Sequence, residues 1–240
     1  MKINKLALIA PAIVLMIFAV CNLMNGEAKI NDYTVDTIQY LIQPFGKSEY
    51  NYLGAVDLNG MKVNLVTFRS KVLLFDCTEK IYSDPESFLP YRIERTVSRL
   101  FGREYITEDY DQQKFTLTTK KYRGKKIISE KTAEANGPIQ NLIMLFSYLS
   151  KVPDPEIGWH FTANVPTDYK NFPTEFEIEL VSMDEITVPA GKFQAYHFKS
   201  TPEKFDIWMS KDYPRIPLKV KGKSTVSYTL LMKARSFHNN

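Results

Sequence analysis

The feature that most constrains this chain is a period-two alternation of apolar and polar residues that begins just after residue 32 and recurs almost to the end. Successive side chains of an extended strand point to opposite faces, so such alternation predicts strands with one buried and one wet face. Thr34 to Gln43, Glu49 to Leu58, Met61 to Phe68 and Val72 to Tyr82 read as strands, broken at Pro44-Phe45-Gly46, Asn59-Gly60, Arg69-Ser70 and Asp84-Pro85. Asn59-Gly60 is the sharpest break, because a two-residue type I′ hairpin needs positive φ at both centres. Further strands follow at Tyr91 to Val97, Glu104 to Asp109, Lys114 to Lys121 and Lys125 to Thr132. This spacing of about ten residues predicts an antiparallel meander.

One helix interrupts the pattern, over about 138–151. Gly137-Pro138 opens it, Ile139, Leu142, Ile143, Phe146 and Leu149 recur at helical spacing, and Pro153 and Pro155 stop it. The stripe is expected to bury against the sheet; the rival reading is a plug that moves when a ligand enters. Strands then resume at Trp159 to Val165, Glu175 to Val188, Lys192 to Lys199, Lys204 to Ser210, Ile216 to Lys221 and Thr225 to Met232. In Glu175-Phe-Glu-Ile-Glu-Leu180 the acids face one way and the apolar residues the other. With 14 Tyr and 15 Phe against 10 Gly, composition agrees with strands. The expected fold is mainly β: a large curved antiparallel sheet, or an incompletely closed barrel, with one principal helix. So many strands need closure or curvature to manage their edges.

Residues 1–28 read as a signal peptide or N-terminal anchor, and 29–240 as a single β-rich exported domain. Lys2 and Lys5 precede the uncharged run Leu6 to Val20, which is short for a membrane span but suits a signal h-region. Three outcomes are open. Cleavage after Ala28 is favoured; Phe18-Ala-Val-Cys21 resembles a lipobox whose Cys21 would be lipidated; or the segment stays as an anchor that keeps the protein near a membrane. All three place the domain in the periplasm or cell envelope. The absence of an Asn-x-Ser/Thr site favours a bacterial envelope. Cys77, in an apolar strand-like run, is read as a small buried hydrophobe.

Catalytic signatures are missing: no Gly-x-Ser-x-Gly, His-Glu-x-x-His, Cys-x-x-Cys, phosphate loop or dinucleotide fingerprint occurs. His160 and His197 lie in separate aromatic strands and are read as hydrogen-bonded side chains, so no metal or cofactor is expected. Glu104, Glu108, Asp109 and Asp111 cluster near one strand end, and Asp184-Glu185 near another, where opposed carboxylates could cut a glycosidic bond. A net charge of +4 gives no nucleic-acid footprint. Lys120-Lys-Tyr-Arg-Gly-Lys-Lys126 reads as a basic hairpin tip, and Lys219, Lys221 and Lys223 as a basic strand face. Such stripes attract anionic headgroups or protect sheet edges.

Two motifs carry a family resemblance: Thr187-Val-Pro-Ala-Gly-Lys-Phe193 and Ile207-Trp-Met-Ser-Lys-Asp-Tyr-Pro-Arg-Ile-Pro-Leu-Lys-Val220. They resemble the exported bacterial family DUF3108, with looser agreement in Phe88-Leu-Pro90, Asp109-Tyr-Asp111 and the helix after Gly137. The resemblance implies an exported, mainly β protein and supplies no catalytic residues. At the level of shape it is similar to the open half-barrels of lipoprotein carriers. Locally, Pro189-Ala-Gly191 makes a tight turn in which Gly191 takes positive φ. Trp208, Asp212, Arg215 and Lys219 are candidate ligand-binding residues, lining a rim where an anionic head group meets an apolar cavity. The alternative is a core Trp208 with Arg215 paired to Asp212. The leading expectation is a non-enzymatic protein that binds a lipid or amphipathic envelope molecule or assists envelope assembly. A module that holds a protein or polymer partner through a sheet edge or the basic hairpin, and an envelope polysaccharide hydrolase, are the rivals.

Overall fold

The computed structural model describes residues 33–100, 102–166, 173–223 and 227–239; the leader and its three processing outcomes lie outside them. Fourteen strands form one antiparallel sheet. The first eight are β1 (Tyr33–Gln43), β2 (Gly46–Leu58), β3 (Met61–Val72), β4 (Phe75–Ser83), β5 (Pro90–Arg99), β6 (Gly102–Asp111), β7 (Thr116–Arg123) and β8 (Lys126–Glu134). A helix, α1 (Leu142–Lys151), follows. The rest are β9 (His160–Val165), β10 (Thr174–Val188), β11 (Gly191–Thr201), β12 (Phe205–Ser210), β13 (Pro217–Gly222) and β14 (Tyr228–Asn239). All strands and the core belong to the compact unit Tyr33–Asn240.

The topology is two meanders joined at the chain ends. β1 pairs with β14, so the order runs from β8 down to β1, then from β14 down to β9. The edges β8 and β9 do not pair, and the barrel stays open. α1 sits in the connection between those two edges and packs on the inner face. Its Leu145, Phe146 and Leu149 join the core of β1 and β9 to β14, while Ile143 and Met144 meet Val66, Ile81, Ile93 and Tyr110 from β3 to β6. Each such buried side chain contributes roughly 1.5–3 kcal/mol, so the helix acts as the missing wall.

Two local expectations are corrected. The helix starts at Leu142, not at Pro138. Asn141 is its N-cap, accepting from the Ile143 and Met144 amides at 2.8 and 3.3 Å. The preceding residues stay extended because Ile139 bridges Asn164 of β9. The turn expected at Arg69-Ser70 lies inside β3; the chain reverses at Leu73-Leu74, with Leu73 at φ 49°. The ladder with β4 runs on to Val72 and Phe75, and Arg69 reaches diagonally across it to Asp76 at 2.6 Å. Asn59 and Gly60 do take φ 54° and 85°, as a type I′ turn requires.

A candidate ligand cavity

Strand alternation sends Phe68, Ser70, Phe75, Cys77, Glu79 and Arg95 to the inner face of β3 to β5, where they bound a cavity of about 570 Å³. Ile42, Val220, Tyr228 and Leu230 supply the facing wall, and the N-cap Asn141 with Ile143 and Phe146 of α1 completes it. Most of this lining is apolar, and the volume falls within the roughly 300–1,000 Å³ typical of ligand sites. Pro44, Phe45, Pro166 and Ser227 mark its mouth, at the end of the sheet where β1 turns into β2. Tyr228 lies so tightly over Gly222 that a Cβ there would stand 2.3 Å from the ring, so glycine holds this part of the wall in place.

One side of the cavity is charged. Arg95 bridges Glu108 at 2.6 Å and Glu79 at 3.1 Å, and the Tyr110 hydroxyl donates to Glu108 at 2.9 Å. Burial, with Glu108 alongside, drives the Tyr110 pKa far above the ordinary phenol value. Burial and then the Glu79 carboxylate push the Cys77 thiol up to about 12, so it remains a thiol at neutral pH. The carboxylates that lie close in sequence are separated by the strand pleat. Glu108 faces the cavity, Asp109 pairs with Arg92 at 3.0 Å, and Asp111 accepts from the Gln113 and Lys114 amides in the following turn.

A second polar cluster covers the outer face of β10 to β13. The His197 ring stacks on Trp208 with centroids 4.0 Å apart, and Lys219 Nζ stands 4.4 Å from the indole on the neighbouring strand. Trp208 Nε1 donates to Asp184 at 3.0 Å. His197 Nδ1 is 3.4 Å from Asp184, and its Nε2 3.5 Å from Asp206. Burial lowers the His197 pKa, against the opposing pull of Asp206 and Asp184. Burial would raise the Asp184 pKa, but hydrogen bonds from Trp208 and Ser182 hold it below the usual value. Among the described residues no group of three or more His, Cys, Asp or Glu is arranged to hold a metal.

The four residues expected at one rim are therefore dispersed. Trp208 is 6% exposed and belongs to the buried core cluster, as the alternative reading expected, and its ring meets Lys219 on the outer face. Asp212 is exposed in the β12–β13 turn. Arg215 is 3% exposed and lies at the end opposite the cavity mouth. Its guanidinium donates to the Val152 carbonyl at the end of α1, pairs with Asp154 and rests on the Tyr196 and Tyr213 rings at 5.0 and 4.4 Å. The expected Arg215–Asp212 pair is not made; Asp154, 61 residues away in sequence, takes that place. A cation at a helix C-terminus also complements the helix dipole.

Sequence reasoning missed the Glu79–Arg95–Glu108 cluster. The signal was there: Arg95 stands among inward Ile93 and Val97, a charge at an apolar phase of its strand.

These arrangements can be set beside known proteins. No curated protein matches the chain. Among solved structures it is similar to a β-barrel-like protein of domain of unknown function DUF1849 from Brucella abortus. That match has a TM-score of 0.53 at 8% identity and covers 85% of this chain and 98% of the other. The likeness is one of fold. The model of a family described as protein of unknown function, DUF3108, matches residues 46–233. That span takes in α1, both motifs noted in the sequence and the cavity lining except Ile42, Gln43, Pro44 and Phe45, and the chain belongs to the DUF3108 family.

Proposed function

We propose that this is an exported, non-enzymatic envelope protein that takes the apolar chain of a lipid or similar amphiphile into the barrel. The observation that carries the reading is the cavity itself: about 570 Å³, mostly apolar, walled by a helix rather than closed by strand pairing. The charged side supports entry tail first. Arg95 is already matched by two carboxylates, so among the described residues the cavity lining offers no surplus cation to an anionic head group. The head would stay at the mouth.

The test is binding of a polarity-sensitive fatty-acid probe to residues 29–240 and to Ser70→Trp. Ser70 faces the cavity beside Cys77, so the larger ring occupies the space. The reading predicts saturable binding that Ser70→Trp weakens at least about tenfold, equivalent to roughly 1.4 kcal/mol. Equal binding by a folded Ser70→Trp protein would overturn it.

A further inference from the structure

The turns at the two ends of the first meander differ in chemistry. At one end lie Asn59-Gly60, the Asp84–Ser87 loop and the turn after Asp111, all polar and tied by side-chain hydrogen bonds from Asp57, Asp84 and Asp111. At the other end lie the β1–β2, β3–β4, β5–β6 and β7–β8 tips. Three of these carry large apolar side chains in solvent: Phe45 is 65% exposed, Leu73 76%, Leu74 66% and Leu100 59%. Neighbouring hairpin tips stand roughly 10 Å apart, two strand spacings, so these side chains form a ridge rather than scattered contacts. Contiguous exposed apolar surface of this kind marks an interaction site.

Charge identifies the partner. The four tips are flanked by exposed Lys47, Lys71, Arg99, Arg103, Arg123, Lys125 and Lys126. The segments 44–47, 71–75, 99–103 and 123–126 contain no Asp or Glu. Behind the first two tips, Lys47, Lys71 and Lys233 share an outer groove of about 430 Å³ with Glu49 and with Arg69, which is itself paired to Asp76. Apolar side chains that project beyond a collar of cations fit a bilayer with anionic headgroups: the tips enter the acyl boundary while the cations meet phosphate. Phe45 and Phe75 belong both to the tips and to the cavity lining, so the ridge leads into the cavity mouth.

We infer that this end of the barrel docks on an anionic membrane, with Phe45, Leu73, Leu74 and Leu100 inserted and the surrounding Lys and Arg on headgroups. Docking rests on the tips alone; only the passage of an acyl chain from bilayer to cavity rests on the function proposed above.

The experiment is co-sedimentation of residues 29–240, which lack the apolar leader, with vesicles of phosphatidylcholine containing about a third phosphatidylglycerol. The expected result is binding that weakens with salt and is lost on pure phosphatidylcholine. Phe45→Ser, Leu73→Ser, Leu74→Ser and Leu100→Ser combined should lower affinity at least about tenfold, as should Lys71→Glu with Lys125→Glu and Lys126→Glu. Ile157→Ser, 63% exposed at the opposite end, should leave it unchanged. No binding by the native protein, self-association through the tips without vesicle binding, or equal binding by the folded tip variant would each overturn the inference. Ser70→Trp separates the two claims: it should weaken probe uptake at least about tenfold and leave vesicle binding intact.

Discussion

Gln112 and Ile139 are joined by a reciprocal pair of hydrogen bonds: the Ile139 amide donates to Gln112 Oε1 at 3.0 Å, and Gln112 Nε2 donates to the Ile139 carbonyl at 2.9 Å. The side chain thus imitates a strand partner. Its amide nitrogen also donates to the Pro90 carbonyl at 2.9 Å, and Ile139 bridges Asn164 on its other side. One glutamine in the β6–β7 turn therefore fastens the segment before α1 across the gap in the barrel. Arg215 fastens the other end of the same helix.

Gln112→Ala leaves the Ile139 amide and carbonyl without these partners, a cost of about 1–3 kcal/mol per buried group. It is expected to lower the unfolding free energy by that order. Hydrogen exchange in residues 139–151 should quicken more than in the strands. Native exchange across that segment would contradict the clamp.

The Glu79–Arg95–Glu108 cluster makes a sharper prediction. Arg95→Met strands two inward carboxylates and is expected to cost about 3–5 kcal/mol in urea unfolding. Adding Glu79→Gln and Glu108→Gln should restore most of that loss, because a buried ion cluster replaced as a whole is close to neutral. If the triple variant is as unstable as Arg95→Met, packing of the arginine stem and not charge balance is what the site requires.

Cys77 reports on the cavity. With its thiol pushed up to about 12 and its side chain buried, it should react with a disulfide reagent at least about 100-fold slower in the native Cys21→Ser protein than in the unfolded chain. Saturating fatty acid should slow it further, since Cys77 lines the site. Labelling at the unfolded rate would mean that the inner face is open to solvent.

His197 should make stability depend on pH. Its folded pKa lies below the unfolded value of 6.5, so the unfolded chain takes up the proton first. The contribution is intact above 6.5 and is lost as pH falls through the window beneath it. Asp184, Asp206, Lys199, Lys219 and Lys221 face this ring or its neighbours, and burial outweighs the two acids. In Trp159→Phe, where Trp208 is the only indole, fluorescence quenching by the stacked imidazolium should titrate with a midpoint below 6.5. His197→Gln should remove both effects. A midpoint above 6.5 would reverse the assigned balance.

Much of this fold could be read from the sequence, because each strand carries its own signal. Glu175 to Leu180 alternate inward and outward as their residue types require, and Phe176, Ile178 and Leu180 are all fully buried. What could not be read depends on contacts far apart in sequence. The Gln112 and Asn164 partners of Ile139 hold the chain before Leu142 out of the helix, and pairing with β4 carries β3 through Arg69-Ser70 to Val72. Trp208 and Lys219 were expected on one rim and do meet, across β12 and β13 on the outer face. The place of Arg215 could not be read, because its partners lie at the end of α1. The cavity depends on where the meander stops curving, which no local pattern encodes.

The central claim is that the open barrel holds an apolar chain, and its most direct test is mass spectrometry of what the protein carries. Residues 29–240 would be exported to the periplasm of a bacterial host, purified without detergent, shown to be folded by circular dichroism and extracted into organic solvent. The account predicts a lipid or fatty acid close to one per chain, absent from Ser70→Trp prepared in the same way. A clean extract from folded protein, or the same lipid at the same ratio in Ser70→Trp, would contradict it.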